Sequence, residues 1–173
     1  MTQVEQIKEL VAKNAGTTVA LAKEIWDYAE LSYEEFKSSA ALIKALKDQG
    51  FEVEEGIADM PTAFKASYKC GSGKPVIGLL AEYDALSGLS QKAACPRQEA
   101  IEPGGSGHGC GHNLIGAGCY AAAVALKEYF NAHSIDATIV FFGCPAEEGA
   151  GSKQFIARAG YFNDVDFAYT WHP

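Results

Sequence analysis

Long apolar runs are missing from this sequence. The most hydrophobic stretch, Leu114 to Leu126, is rich in Gly and Ala and falls short of the roughly 20 residues that cross a bilayer. It reads as a buried helix, and a membrane is not an expected partner. Basic residues are in deficit: 14 Lys and Arg against 22 Asp and Glu give a formal net charge of -8, which argues against a nucleic-acid backbone as the main partner. The first ten residues, Met1 to Leu10, mix charges into a helical pattern and do not form the unbroken apolar core of a secretory signal. A cytoplasmic location is therefore expected. Cysteines are few, odd in number at five, and unclustered, so reduced thiols are expected rather than a disulfide scaffold. Nucleotide motifs are also absent: there is neither a G-x-G-x-x-G nor a Gly-Lys-Ser/Thr, which weakens the alternative of a nucleotide-binding module.

What is present suits one folded domain. The chain has 173 residues, of which 48% are hydrophobic, enough material for a packed core. Thr2 with Glu5 forms a capping-box signature, followed by Val4, Ile7, Leu10 and Val11 at helical spacing. A kink is expected near Gly16, before Val19, Ala22, Ile25, Trp26 and Ala29 continue the stripe. Ser32 with Glu35 repeats the capping-box pattern ahead of a helix ending near Gly50. Thr62 to Lys69 reads as a strand, and a Gly-Ser-Gly turn leads to Val76–Ala81, an apolar run of central-strand type. Leu86 to Gly109 lacks periodicity and reads as a long functional or disordered loop. A helix over about Leu114 to Phe130, a strand over Ala137 to Phe142, a short helix over Ser152 to Ala159 and a strand over Val165 to Trp171 follow.

Strands alternating with helices predict an α/β fold, a mostly parallel sheet with one antiparallel member and helices on its faces. Sites in such sheets gather at strand carboxyl ends. Asp84, the pair Glu147 and Glu148, and His172 each follow a predicted strand, while Cys110 and His112 immediately precede a predicted helix.

These residue types have metal chemistry in common. In Gly107-His108-Gly109-Cys110-Gly111-His112-Asn113, a soft thiolate and an imidazole stand two residues apart among glycines that let both turn inward. The following helix N-terminus is expected to favour the thiolate. Zinc accepts Cys, His and carboxylate ligands, whereas manganese prefers carboxylate and imidazole. A Gly-rich turn with an incidental His is the competing reading. In Pro145-Ala146-Glu147-Glu148-Gly149, neighbouring carboxylates point in different directions, so one can hold a metal while the other faces a water; surface acids favouring a helix N-terminus are the alternative. Asp84 can reach the site or orient a ligand imidazole, or serve a turn. His108 reads as structural and His133 as a surface residue.

Taken together, Ala81-Glu82-Tyr83-Asp84-Ala85-Leu86, Gly107 to Asn113, Pro145 to Gly151 and Trp171-His172-Pro173 resemble the amidohydrolase branch of the aminoacylase and carboxypeptidase-like zinc metallopeptidase superfamily. The likeness runs in order over nearly the whole chain. It implies a three-layer α/β/α sandwich, with Cys110, His112, Glu148 and His172 as metal ligands, Glu147 as general base and Asp84 as the supporting aspartate. It also implies one or two divalent ions, Zn or Mn. The implied reaction is hydrolysis of the amide of an N-acyl or N-aroyl amino acid or dipeptide-like substrate, p-aminobenzoyl-glutamate-like compounds being favoured. Ser87 stands where many relatives have Pro. Relatives continue past the position of Pro173 through a dimerisation and lid domain, so residues 1–173 are expected to be the N-terminal portion of a catalytic domain. Association with a missing C-terminal segment or with further copies is expected, and a metal-binding but inactive fragment is the alternative function.

Overall fold

A computed structural model describes residues 1–173. The first helix, α1 (Gln3–Lys13), opens with the predicted capping box: the Glu5 amide donates to Thr2 Oγ1 at 3.3 Å, and the Thr2 amide donates to Glu5 Oε2 at 2.7 Å. The break before α2 (Ala15–Tyr28) falls at Asn14, two residues ahead of the expected kink. No residue of α1 is fully buried, and Val4 and Val11 stay exposed. Lys13 and Asn14 instead tie this end to Glu128 at 2.8 and 3.3 Å.

Helix α3 (Phe36–Asp48) begins three residues later than a cap at Ser32 implies, and its cap differs from the predicted one. Tyr33 adopts a left-handed conformation, φ 64°, and the folded-back chain lets Glu30 accept from the Lys37 and Ser38 amides at 2.9 and 2.8 Å. A carboxylate there satisfies free amides and complements the helix dipole. Ser32 and Glu35 are thus released for other partners.

Five strands follow: β1 (Glu52–Glu55), β2 (Phe64–Cys70), β3 (Val76–Ala81), β4 (Ala137–Gly143) and β5 (Phe167–Tyr169). They form one sheet in the order β1-β2-β4-β3-β5. Pairings β1/β2 and β2/β4 are antiparallel, whereas β3/β4 and β3/β5 are parallel. Only β2 therefore runs against the rest, as the early hairpin predicts. Helix α4 (His112–Ala132) joins β3 to β4, and the short α5 (Ser152–Arg158) joins β4 to β5.

Side chains alternate across a strand, and β4 sorts its apolar residues between two cores. Ile139 and Phe141 enter a cluster with Leu21, Ile25, Leu42, Leu46, Ile115 and Val124 from α2, α3 and α4. Val140 and Phe142 enter a smaller one with Ile57, Met60 and Ile156, beneath α5 and a 3-10 turn over Ile57–Asp59. Helices thus cover both faces of the sheet, giving the expected three layers. Phe64 and Phe141 stack with ring centroids 5.6 Å apart. Full burial of each such ring contributes on the order of 2 to 3 kcal/mol. At the free edge Phe167, Tyr169 and Trp171 remain exposed. No helix is long and apolar enough to cross a membrane.

Residues 82–111 contain no helix and no regular strand, but the segment is ordered by its own pairing. Leu86 and Gly107 exchange backbone hydrogen bonds at 3.0 and 2.9 Å, the Ser90 amide donates to Gly105 at 3.0 Å, and the Lys92 amide to Glu99 at 2.9 Å. The excursion leaves β3, doubles back and delivers the chain to the start of α4.

Candidate metal centre

Parallel β3, β4 and β5 end at the same edge of the sheet, where connections from β3 and β4 depart over opposite faces. Such a divergence opens a crevice. Into it come Glu82 and Asp84 after β3, Glu147 and Glu148 after β4, His172 after β5, and Cys110 and His112 at the start of α4.

His112 is fully buried at the first position of α4, behind Gly111, whose φ of 79° lets the chain turn into the helix. Its Nδ1 lies 2.9 Å from Asp84 Oδ1. An ionised carboxylate accepts only, so Nδ1 carries a proton, and in the neutral ring the Nε2 lone pair is left free. Nε2 is buried without a hydrogen-bond partner. Around it stand Glu82 Oε2 at 3.3 Å and Glu147 Oε2 and Glu148 Oε1, each at 3.8 Å. Cys110 Sγ is 3.2 Å from His172 Nε2, and the His172 ring meets that of His112 edge-on, with centroids 5.7 Å apart. Ligand atoms of Cys110, His112 and His172 all lie within 4.8 Å of one another, and so do those of Glu82, His112 and Glu147. The other three predicted ligands and the predicted base thus gather around the His112 imidazole.

Asp84 is buried at the centre of this arrangement. Its Oδ2 accepts from the Glu148 amide at 3.0 Å and from Ser32 Oγ at 3.2 Å. Burial pushes its carboxyl up, yet the His112 hydrogen bond, the Glu148 amide and the His112 charge outweigh burial and hold it below its ordinary value. The same partnership raises His112 above its ordinary value against the opposing effect of its own burial. Cys110 departs from expectation. Burial, then its contact with Glu148 and the charges of Glu148, Glu147 and Glu82, pushes its thiol up to about 11. The helix N-terminus does not offset so much negative charge, and the thiolate form needs a cation beside it.

Two residues read as a helix cap serve this site instead. Ser32 donates to Asp84, and Glu35, fully buried, accepts from the Ala146 amide at 2.8 Å and from Thr62 Oγ1 at 2.9 Å. Ala146 is held at φ 54°, directly before the glutamate pair. The turn bearing both glutamates is therefore pinned from the N-terminal layer. Glu147 is the more open of the two, its side chain 40% exposed against 22% for Glu148. Glu82 is a further acid in the crevice; in an extended segment residues two apart share a side, and that spacing from Asp84 was the signal for it. The other histidines lie apart: His108 Nε2 contacts the Ile25 carbonyl at 3.0 Å beneath α2, and His133 packs on Tyr129 at the end of α4.

The donor set fits a divalent cation. An imidazole clamped by carboxylate with its other nitrogen buried and unpartnered, a thiol held protonated by surrounding acids, and three carboxylates in reach form a site short of positive charge.

Comparison with known proteins agrees with this chemistry. Residues 78–173 match the family model described as peptidase family M20/M25/M40. A subunit of the p-aminobenzoyl-glutamate hydrolase of Escherichia coli (strain K12) is 50% identical over 153 residues, 88% of this chain and 31% of that protein. The Xaa-Arg dipeptidase of Mus musculus is 31% identical over 180 residues, 95% of this chain and 37% of its own length. Among solved structures, the Bacillus subtilis YXEP protein, described as a dinuclear metal-binding peptidase of the M20 family, superposes with a TM-score of 0.72 at 25% identity, covering 92% of this chain and 44% of that one. The chain thus spans about a third of the length of these two curated relatives.

Proposed function

The chain belongs to peptidase family M20/M25/M40, and from that premise we propose that it forms the N-terminal portion of the catalytic domain of a metal-dependent amidohydrolase. Its substrates are N-acyl or N-aroyl amino acids, p-aminobenzoyl-glutamate-like compounds first among them. The observation that carries this reading is the buried, unpartnered Nε2 of His112, ringed by Cys110, His172 and acids. The 50% identity to the Escherichia coli p-aminobenzoyl-glutamate hydrolase protein supports the choice of substrate, and that relative's name as one subunit of its enzyme supports a second chain in the working assembly.

Cys110, His112, Glu148 and His172 would hold one or two divalent cations, Zn or Mn. When bound, the cations supply a Lewis acid for the scissile carbonyl and for the attacking water. Asp84 fixes the His112 tautomer and orientation through Nδ1, and through the Glu148 amide it ties the two ligand segments together. Glu147, on the open side of the crevice, accepts the water's proton at its carboxylate and delivers it to the leaving amide nitrogen. Glu35 holds the Ala146 amide and so fixes the turn from which Glu147 projects.

Metal analysis of the purified chain, with hydrolysis assays on N-acyl and N-aroyl amino acids alone and after co-expression with the remainder of a relative, tests the reading. Bound Zn or Mn and release of the free amino acid in the co-expressed form are expected. A chain that binds neither metal would overturn it.

A further inference from the structure

Glu82 has no role in the chemistry above, yet its surroundings are unusual for a carboxylate. It is 6% exposed, and its Oε2 is buried without a hydrogen-bond partner. Oε1 is engaged by Lys153 Nζ, from the start of α5. Oε2 faces His112 Nε2 across 3.3 Å, and that atom is itself buried and unpartnered. With the proton of a neutral His112 on Nδ1, both facing atoms are acceptors. Two buried acceptors at this distance repel each other unless a positive charge joins them. Glu147, the proposed base, stands beside them, one carboxylate oxygen within 4.8 Å of the facing atoms of Glu82 and His112.

We propose that Glu82 is a further ligand of the metal site, binding through Oε2 beside His112 while Lys153 holds Oε1. The inference rests on the reading of His112 as a metal ligand and adds a carboxylate to the four residues that resemblance supplied. The lysine gives the assignment a structural basis: it fixes the carboxylate with one oxygen turned outward and one inward, so little rotamer freedom is lost on binding. A proton on Nε2, making His112 an imidazolium paired with Glu82, is the competing explanation, and it predicts no contribution of Glu82 to metal affinity beyond that of a distant charge.

The test is titration of the full chain with Mn²⁺ and with Zn²⁺, reading affinity by calorimetry and bound metal by elemental analysis, for wild type, Glu82→Gln, Lys153→Gln and the double variant. Glu82→Gln should weaken binding at least about 100-fold, comparable to or beyond the loss on removing an outer-shell partner. The same loss should appear in the Lys153→Gln background, because a double-variant cycle removes the effect of an unpaired lysine repelling the cation. Wild-type affinity in Glu82→Gln, or recovery in the double variant, overturns the proposal and leaves His112 as a ligand. A wild type that binds neither metal overturns both. Far-UV circular dichroism checks folding; should Glu82→Gln unfold, Glu82→Asp withdraws the oxygen while keeping the charge, and is expected to weaken binding about 10-fold, unchanged affinity again overturning the proposal.

Discussion

Asp84 holds His112 by its Nδ1 at 2.9 Å, so a carboxylate at the end of β3 determines which nitrogen of a fully buried imidazole is free. The same side chain accepts from the Glu148 amide and from Ser32. Removing it by Asp84→Ala orphans three donors at once. Metal affinity should fall about 10- to 100-fold, as for other partners that orient a ligand histidine. The metal-free protein should lose at least about 1 to 3 kcal/mol, the cost of one buried group left without its partner. Calorimetric metal titration and urea denaturation read the two effects separately; loss of stability with unchanged metal affinity would leave Asp84 a purely structural residue.

The glutamate pair should separate by readout. Glu147→Gln is expected to keep metal content and reduce turnover of the co-expressed enzyme by about 100- to 10,000-fold, the usual range for a general base. Glu148→Gln is expected to lower metal content itself. Elemental analysis alongside single-turnover hydrolysis distinguishes them, and equal metal loss in both variants would reverse the division of roles.

Much of this arrangement was legible in the residues. Val76–Ala81 and Ala137–Gly143 are apolar on both sides because both faces of those strands are covered, and their ends gave the crevice its position. Cys110 and His112 were legible because glycines isolate them before an apolar helix. The second capping box was not. Ser32 and Glu35 have the spacing of a cap, but spacing records only local geometry, and the left-handed turn at Tyr33 brings Glu30 to the helix end instead. The long-range partners of Ser32 and Glu35, Asp84 and the Ala146 amide, are reached because the segment before α3 lies along the chain leaving β3, with Leu31 bridged to Ala85. Neither could be read from separations of 52 and 111 residues.

Glu35, which pins the turn before the glutamate pair, provides a pH test. Burial raises its carboxyl above the ordinary value despite the Ala146 amide and the Thr62 hydroxyl, which act the other way. The folded state then holds this proton more tightly than the unfolded chain, so its contribution to stability is present below the ordinary glutamate value and declines as pH rises through the folded value. Glu35→Gln removes that titration. The stability of Glu35→Gln minus that of wild type should therefore increase from about pH 4 toward neutrality, measured by urea denaturation at each pH. A difference that decreases over this range would mean that the amide and hydroxyl outweigh burial.

Gly107 gives the last test, because it locates the loop on which Cys110 depends. A Cβ at this position would lie 2.0 Å from the Leu89 carbonyl oxygen and 2.6 Å from its carbon. Both are backbone atoms that a rotamer change cannot move aside, and they lie on the outgoing arm three residues past Leu86, whose pairing with Gly107 returns the chain to α4. Gly107→Ala should thus part the two arms of the excursion and shift Cys110 relative to His112. Overpacking of this kind costs about 1 to 3 kcal/mol, and metal affinity should fall with it although no ligand is altered. Gly104→Ala is the control: its φ is 79°, but nothing lies within 4 Å of the added methyl, so it should cost only the left-handed strain of about 1 to 2 kcal/mol and leave the metal site intact. Thermal melts and metal titrations on both variants make the comparison. Equal metal affinity in Gly107→Ala and Gly104→Ala would show that Cys110 is positioned by α4 alone and not by the loop that precedes it.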